Sequence, residues 1–118
     1  GLLGSADGGP SRGVMTLRYS DGSSVQYWLG LSDWTLGAGR DKPSFGNQDA
    51  AALPYRDCSS CDGGKDKTVT HVFATTYPVD PAKTLTAVTL PSGTDRGRLH
   101  VFAIGTSTTP PTGAGACR

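Results

Sequence analysis

The 17 glycines and 8 prolines, together 25 of 118 residues, confine this chain to short elements joined by many turns. Proline removes a backbone donor and blocks helix interiors, and glycine loses the most conformational freedom when placed in one. The acidic residues say the same thing. All 10 are Asp and none is Glu. Glu propagates helices, whereas Asp bonds its own backbone in turns. Long helices are excluded and a turn-rich β-structure is expected.

The apolar pattern has the matching period. In residues 14–19, Met15, Leu17 and Tyr19 alternate with Thr16 and Arg18, as in a half-buried strand. Asp21-Gly22 supplies a hairpin turn. Residues 24–31 return with Val25, Tyr27, Leu29 and Leu31 on one face and Gln26 and Trp28 on the other. A long Gly/Pro/Asp loop follows over residues 37–49. Residues 50–55 predict an edge strand, because Pro54 cannot serve a central ladder. Residues 68–75, 85–90 and 99–104 complete the set, with Tyr19, Tyr27, Phe73 and Phe102 expected in the core. Short strands with turn signals between them predict an all-β antiparallel β-sandwich. Residues 1–13 are Gly/Ser-rich and read as a flexible N-terminal segment, residues 14–105 as the sandwich module, and residues 106–118 as a Thr/Pro/Gly linker.

Charge narrows the partners. With 11 basic and 10 acidic side chains the net charge is +1, and the arginines are scattered singly, so nucleic acid is not an expected partner. No apolar run approaches a membrane span, so no membrane partner is expected either. A secretory signal is not evident, which fits a mature chain or a fragment. The chain has 3 cysteines. Cys58 and Cys61 have the spacing of a small disulfide closing a surface loop. Thioredoxin-like chemistry would need a helix after them, and structural zinc would need a second pair. Cys117 follows the linker composition and is expected to serve a neighbouring domain. A secreted, multidomain parent accounts for all three.

One ordered set of segments goes beyond composition: Tyr19-Ser20-Asp21-Gly22-Ser23-Ser24, Leu29-Gly30-Leu31-Ser32-Asp33-Trp34, Ala51-Ala52-Leu53-Pro54-Tyr55-Arg56, Val72-Phe73-Ala74-Thr75, Pro78-Val79-Asp80-Pro81, and Leu99-His100-Val101-Phe102-Ala103. In this order they resemble a β-sandwich accessory module of secreted actinobacterial glycoside hydrolases, including α-mannosidase-type enzymes. The resemblance implies a jelly-roll or galactose-binding-like fold and a non-catalytic role. Cys58, Cys61, Trp28 and Tyr77 depart from that pattern.

Each chemistry-bearing residue also has a plain structural reading. A glycosidase needs two carboxylates across a cleft. Asp33, Asp57, Asp62, Asp66 and Asp80 qualify by type, yet most sit beside Gly, Pro or Ser, where Asp caps turns. His71 and His100 lie within strands and outside any nucleophile motif, and read as packed or edge histidines. Asp57, Asp62 and Asp66 surround the cysteine loop, and loop carbonyls could complete an oxygen cage for calcium, but they lack calcium-loop spacing, so no cofactor is expected, with a structural calcium ion there as the minor alternative. Aromatic rings are the informative class, because sugars stack their C–H faces on flat rings while side chains bond the hydroxyls. A bend at Gly30 would bring Trp28 and Trp34 to one end of the sandwich, with Asp33, Arg40, Tyr55 and Arg56 as polar partners. The expected function is a carbohydrate-binding or accessory module of a secreted glycoside hydrolase, with polysaccharide and the parent's catalytic domain as partners. The alternatives are a structural spacer without ligand and, further off, a small hydrolase.

Overall fold

The computed structural model of the chain describes residues 1–108. Cys117 and most of the linker composition lie outside the described residues. The strands are β1 (Leu2–Asp7), β2 (Ser11–Tyr19), β3 (Ser24–Leu31), β4 (Gln48–Leu53), β5 (Arg56–Asp57), β6 (Lys65–Asp66), β7 (Thr70–Thr75), β8 (Leu85–Thr89) and β9 (Arg98–Ile104). They form a 4-stranded sheet in the order β4-β7-β1-β9, a 3-stranded sheet in the order β3-β2-β8, and the small β5-β6 hairpin. All of these pairings are antiparallel. The chain is an all-β sandwich. Among the described residues no helix is long and apolar enough to cross a membrane.

The β2-β3 hairpin follows from its alternation. Met15, Leu17 and Tyr19 are buried, and so are Leu29 and Leu31 on the facing strand. Ser23 donates its N–H and hydroxyl to Asp21 Oδ1, and Gly22 takes a φ of 85°, which a side chain would resist. Leu2 and Ala6 of the 4-stranded sheet meet Met15, Leu17, Leu29 and Leu31 of the other to form the core. Leu99 and Val101 pack against its rim. Each fully buried large side chain there contributes about 1.5–3 kcal/mol. β4 lies at a sheet edge and ends at Leu53, just before Pro54.

Two expectations are corrected. Residues 1–13 do not form a flexible segment: β1 runs between β7 and β9, and each residue from Leu2 to Asp7 pairs with β9. Its small residues are what the site demands. A Cβ on Gly4 would press on the His100 carbonyl oxygen and lie 2.8 Å from Leu31 Cδ1. Phe102 is not in the core. It is 63 % exposed, because on edge strand β9 only the Leu99 and Val101 face meets the opposite sheet.

The sheets are joined where β3 ends. Register pairs between β1 and β7 run only from Leu2 to Gly4. Beyond them the segment after β3 enters the gap: Ala6 N–H donates to the Ser32 carbonyl at 2.9 Å, Trp34 N–H to the Ala6 carbonyl at 2.8 Å, and His71 N–H to the Trp34 carbonyl at 2.7 Å. The Ser5 hydroxyl donates to the His71 carbonyl at 2.6 Å. A buried polar cluster holds this wedge from behind. Asn47 Oδ1 accepts from the N–H and hydroxyl of Ser32, and Asn47 Nδ2 donates to the Gly30 carbonyl at 3.1 Å.

Candidate functional site

The wedge carries Trp34 to the outer face of the 4-stranded sheet, where it lines an open groove of about 380 Å³. Asp7 of β1 and His100 and Phe102 of β9 contribute from one side. Leu53 of β4 and Thr70 and Val72 of β7 contribute from the other. Strand alternation explains the membership. Leu99 and Val101 turn inward, which leaves His100 and Phe102 on the outside. The volume is toward the small end of the range of ligand pockets, about 300–1,000 Å³. Phe102 and Leu53, 63 % and 55 % exposed, make the walls mainly apolar.

The polar end of the groove is a carboxylate–imidazole pair. His100 Nε2 lies 2.9 Å from Asp7 Oδ2. A second such pair, His71 Nδ1 to Asp49 Oδ2 at 2.7 Å, accompanies the stacking of His71 on Phe73 with ring centroids 5.8 Å apart. Both histidines are strand residues, as expected, and both have a carboxylate partner.

The six residues expected to bind carbohydrate separate into groups. The Arg56 guanidinium lies over the Trp34 ring, 5.3 Å from its centroid. Arg56 is held there by Asp66, with Nε to Oδ2 at 2.8 Å. The hydroxyl and N–H of Thr68 and the Arg56 guanidinium keep the Asp66 carboxyl below its usual range, against a smaller opposing effect of desolvation. Tyr55 has the Lys65 ammonium 4.1 Å from its ring centroid. Arg40 donates Nε–H to the Gly37 carbonyl at 2.8 Å, at the end of a short turn, α1 (Leu36–Gly39).

Asp33 has a mainly architectural set of partners. Its Oδ1 accepts from the N–H and hydroxyl of Thr35, and its Oδ2 accepts from Gly9 N–H at 3.0 Å. Burial pushes its carboxyl up, but the Thr35 hydroxyl and the backbone N–H groups outweigh burial and leave it lowered.

Trp28 does not join Trp34. β3 runs unbroken through Gly30, which pairs with Arg12, so the expected bend is absent. Trp28 remains on the outward face of β3, 43 % exposed, with the Arg12 guanidinium 4.9 Å from its ring centroid. Asp95 in turn binds Arg12, accepting its N–H at 3.0 Å.

Sequence reasoning missed Asp7, His100 and Phe102 as a group. Asp7 fell in a segment read as flexible, and Phe102 was expected in the core. The period-two placement of His100 and Phe102 on one face was the available signal.

The Cys58–Cys61 disulfide closes the tip of the hairpin that carries Arg56, with Cα atoms 5.3 Å apart. Among the described residues, no group of three or more His, Cys, Asp or Glu is arranged to hold a metal ion. Comparison with protein-family models, with curated proteins and with solved structures gave no match.

Proposed function

We propose that this chain is a non-catalytic carbohydrate-binding module, an accessory to a secreted glycoside hydrolase, and that it holds a sugar in the groove beside Trp34. The observation that carries this reading is the meeting of Trp34 and the exposed Phe102 with the Asp7–His100 pair in one open groove. A sugar ring needs both halves: a flat ring against its C–H face and polar groups for its hydroxyls. The Arg56 guanidinium over Trp34 pre-orders the ring. The disulfide supports an oxidising, extracellular setting for the parent protein.

The test is a glycan screen on the chain, followed by titration of wild type, Trp34→Ala and Trp28→Ala with the sugars it returns. Loss of a stacking ring should cost about 1–3 kcal/mol of binding. Trp34→Ala should show that loss, while Trp28→Ala keeps wild-type affinity. Equal binding by wild type and a folded Trp34→Ala variant would rule out the groove. An empty screen would favour the spacer reading instead.

A further inference from the structure

We infer that the groove selects neutral sugars and rejects acidic ones, because its polar end carries the Asp7 carboxylate, which bears negative charge and only accepts hydrogen bonds. This rests on the carbohydrate-binding reading and specifies its ligand class. Asp7 and His100 both line the groove, from paired strands β1 and β9. The Asp7 carboxylate accepts only, so the hydrogen between it and His100 resides on Nε2. Among the described residues no hydrogen bond reaches Asp7 Oδ1, and Oδ2 is the oxygen engaged by His100. The groove therefore offers a ligand a charged carboxylate oxygen that only accepts, beside the His100 ring.

Such an end is satisfied by a ligand that brings donors, as the hydroxyls of a pyranose do. A carboxylate, sulfate or phosphate brings acceptors and a negative charge, and would meet Asp7 with unpaired lone pairs and repulsion. The cation nearest to Trp34 does not reverse this. Arg56 is committed to Asp66 at 2.8 Å and lies over the indole ring. The hydroxyls of Ser5 and Thr70 add no positive charge to the lining.

The experiment is an NMR titration of the full chain with two matched pairs of probes: methyl galactoside against methyl galacturonide, and methyl glucoside against methyl glucuronide. The Trp34 indole and His100 imidazole signals are followed in wild type, Asp7→Asn and Arg56→Gln. One neutral member or both should shift these signals, with the matching uronide about tenfold weaker or more, as loss of a charge-assisted contact implies. Asp7→Asn should weaken the neutral sugar and narrow its advantage over the uronide, while Arg56→Gln should leave that preference in place. The comparison within wild type needs no variant to fold. A uronide that binds through Trp34 as tightly as its neutral partner would overturn this inference and leave the binding reading intact. So would a folded Asp7→Asn variant with unchanged preference. If none of the four probes shifts the Trp34 signal, this inference is overturned, and the wider glycan screen decides the binding reading separately.

Discussion

The Trp34 amide donates to the Ala6 carbonyl at 2.8 Å, and that bond ties the groove to the N-terminal strand. Asp7 follows Ala6 directly, so the aromatic and the acidic parts of the groove share one backbone junction. The His71 amide continues the ladder on the far side of Trp34. The position of the indole is thus set by three segments distant in sequence, with the Trp34 segment held between β1 and β7.

Removing residues 1–7 should therefore abolish folding. The truncation takes Leu2 and Ala6 from the core and leaves β7 and β9 without the strand between them. The buried apolar area of a leucine is worth about 1.5–3 kcal/mol by itself, and an unpaired central ladder adds to the loss. The expected result is a urea titration with no cooperative transition and an amide spectrum without β-sheet dispersion. A truncated chain that melts cooperatively near the full-length temperature would contradict the central placement of β1.

Gly4→Ala should destabilise by about 1–3 kcal/mol, the usual cost of forcing atoms into a packed site. The new methyl group would meet the His100 carbonyl oxygen, which belongs to the β9 backbone and cannot swing aside. Gly93→Ala is the control. A Cβ at Gly93 has nothing within 4 Å, and its φ is not in the left-handed region. It should stay within about 0.5 kcal/mol of wild type. Chemical denaturation of the two variants side by side checks both numbers.

The same positions explain how much was legible in the sequence. The β2-β3 hairpin was readable because its signal is local: strict alternation on both arms and Asp21-Gly22 between them. β1 was not, because Gly4, Ser5 and Ala6 are small for a reason that lies elsewhere in the chain. Leu31, His100 and Trp34 crowd against them, and a run of small residues looks like a linker when its neighbours are unknown. Phe102 was expected in the core from the alternation of its strand, yet only a covering layer decides which face is buried, and β9 lies at the sheet edge. The candidate site was half visible. Trp34 and Arg56 were both named, and the structure brings them together. Trp28 was placed on the correct face of β3, but the expected bend at Gly30 ignored the pairing of that residue with Arg12.

Replacing Cys58 and Cys61 by serine should leave the sandwich folded. Closing so short a ring stabilises by about 2 kcal/mol at most in the chain-entropy account. The disulfide belongs to the exposed β5-β6 hairpin rather than to the core. The effect should instead appear at Arg56, whose hairpin loses its covalent closure. In a Trp28→Phe background, Trp34 becomes the sole indole of the chain. Its fluorescence should change on reduction while the melting transition moves by only several degrees. Complete loss of the transition would show that the hairpin contributes far more to the fold than its exposure implies.

Asp33→Asn should lower stability at neutral pH and flatten part of the acid limb. The amide oxygen of the introduced side chain would still accept from Thr35, but its nitrogen has no lone pair for the Gly9 N–H now bound by Asp33 Oδ2. The lost bond is partly screened by solvent, so about 1 kcal/mol is expected. The sign with pH follows from the direction of the shift. The folded carboxyl is lowered from its unfolded value, so its contribution is complete above about pH 4 and disappears as pH falls through the folded value. The stability gap between wild type and Asp33→Asn should accordingly be widest at neutral pH and shrink toward acid. Other carboxylates share the acid limb. Asp21 is held down to about 2, first by the Ser23 hydroxyl, and Asp95 is lowered, first by the Arg12 N–H. These act equally in both proteins, so the difference curve isolates Asp33. Urea midpoints measured from pH 7 down to pH 2 provide that curve. A gap that stays constant across the range would mean that the Asp33 charge does not contribute to holding Thr35 and Gly9 in place.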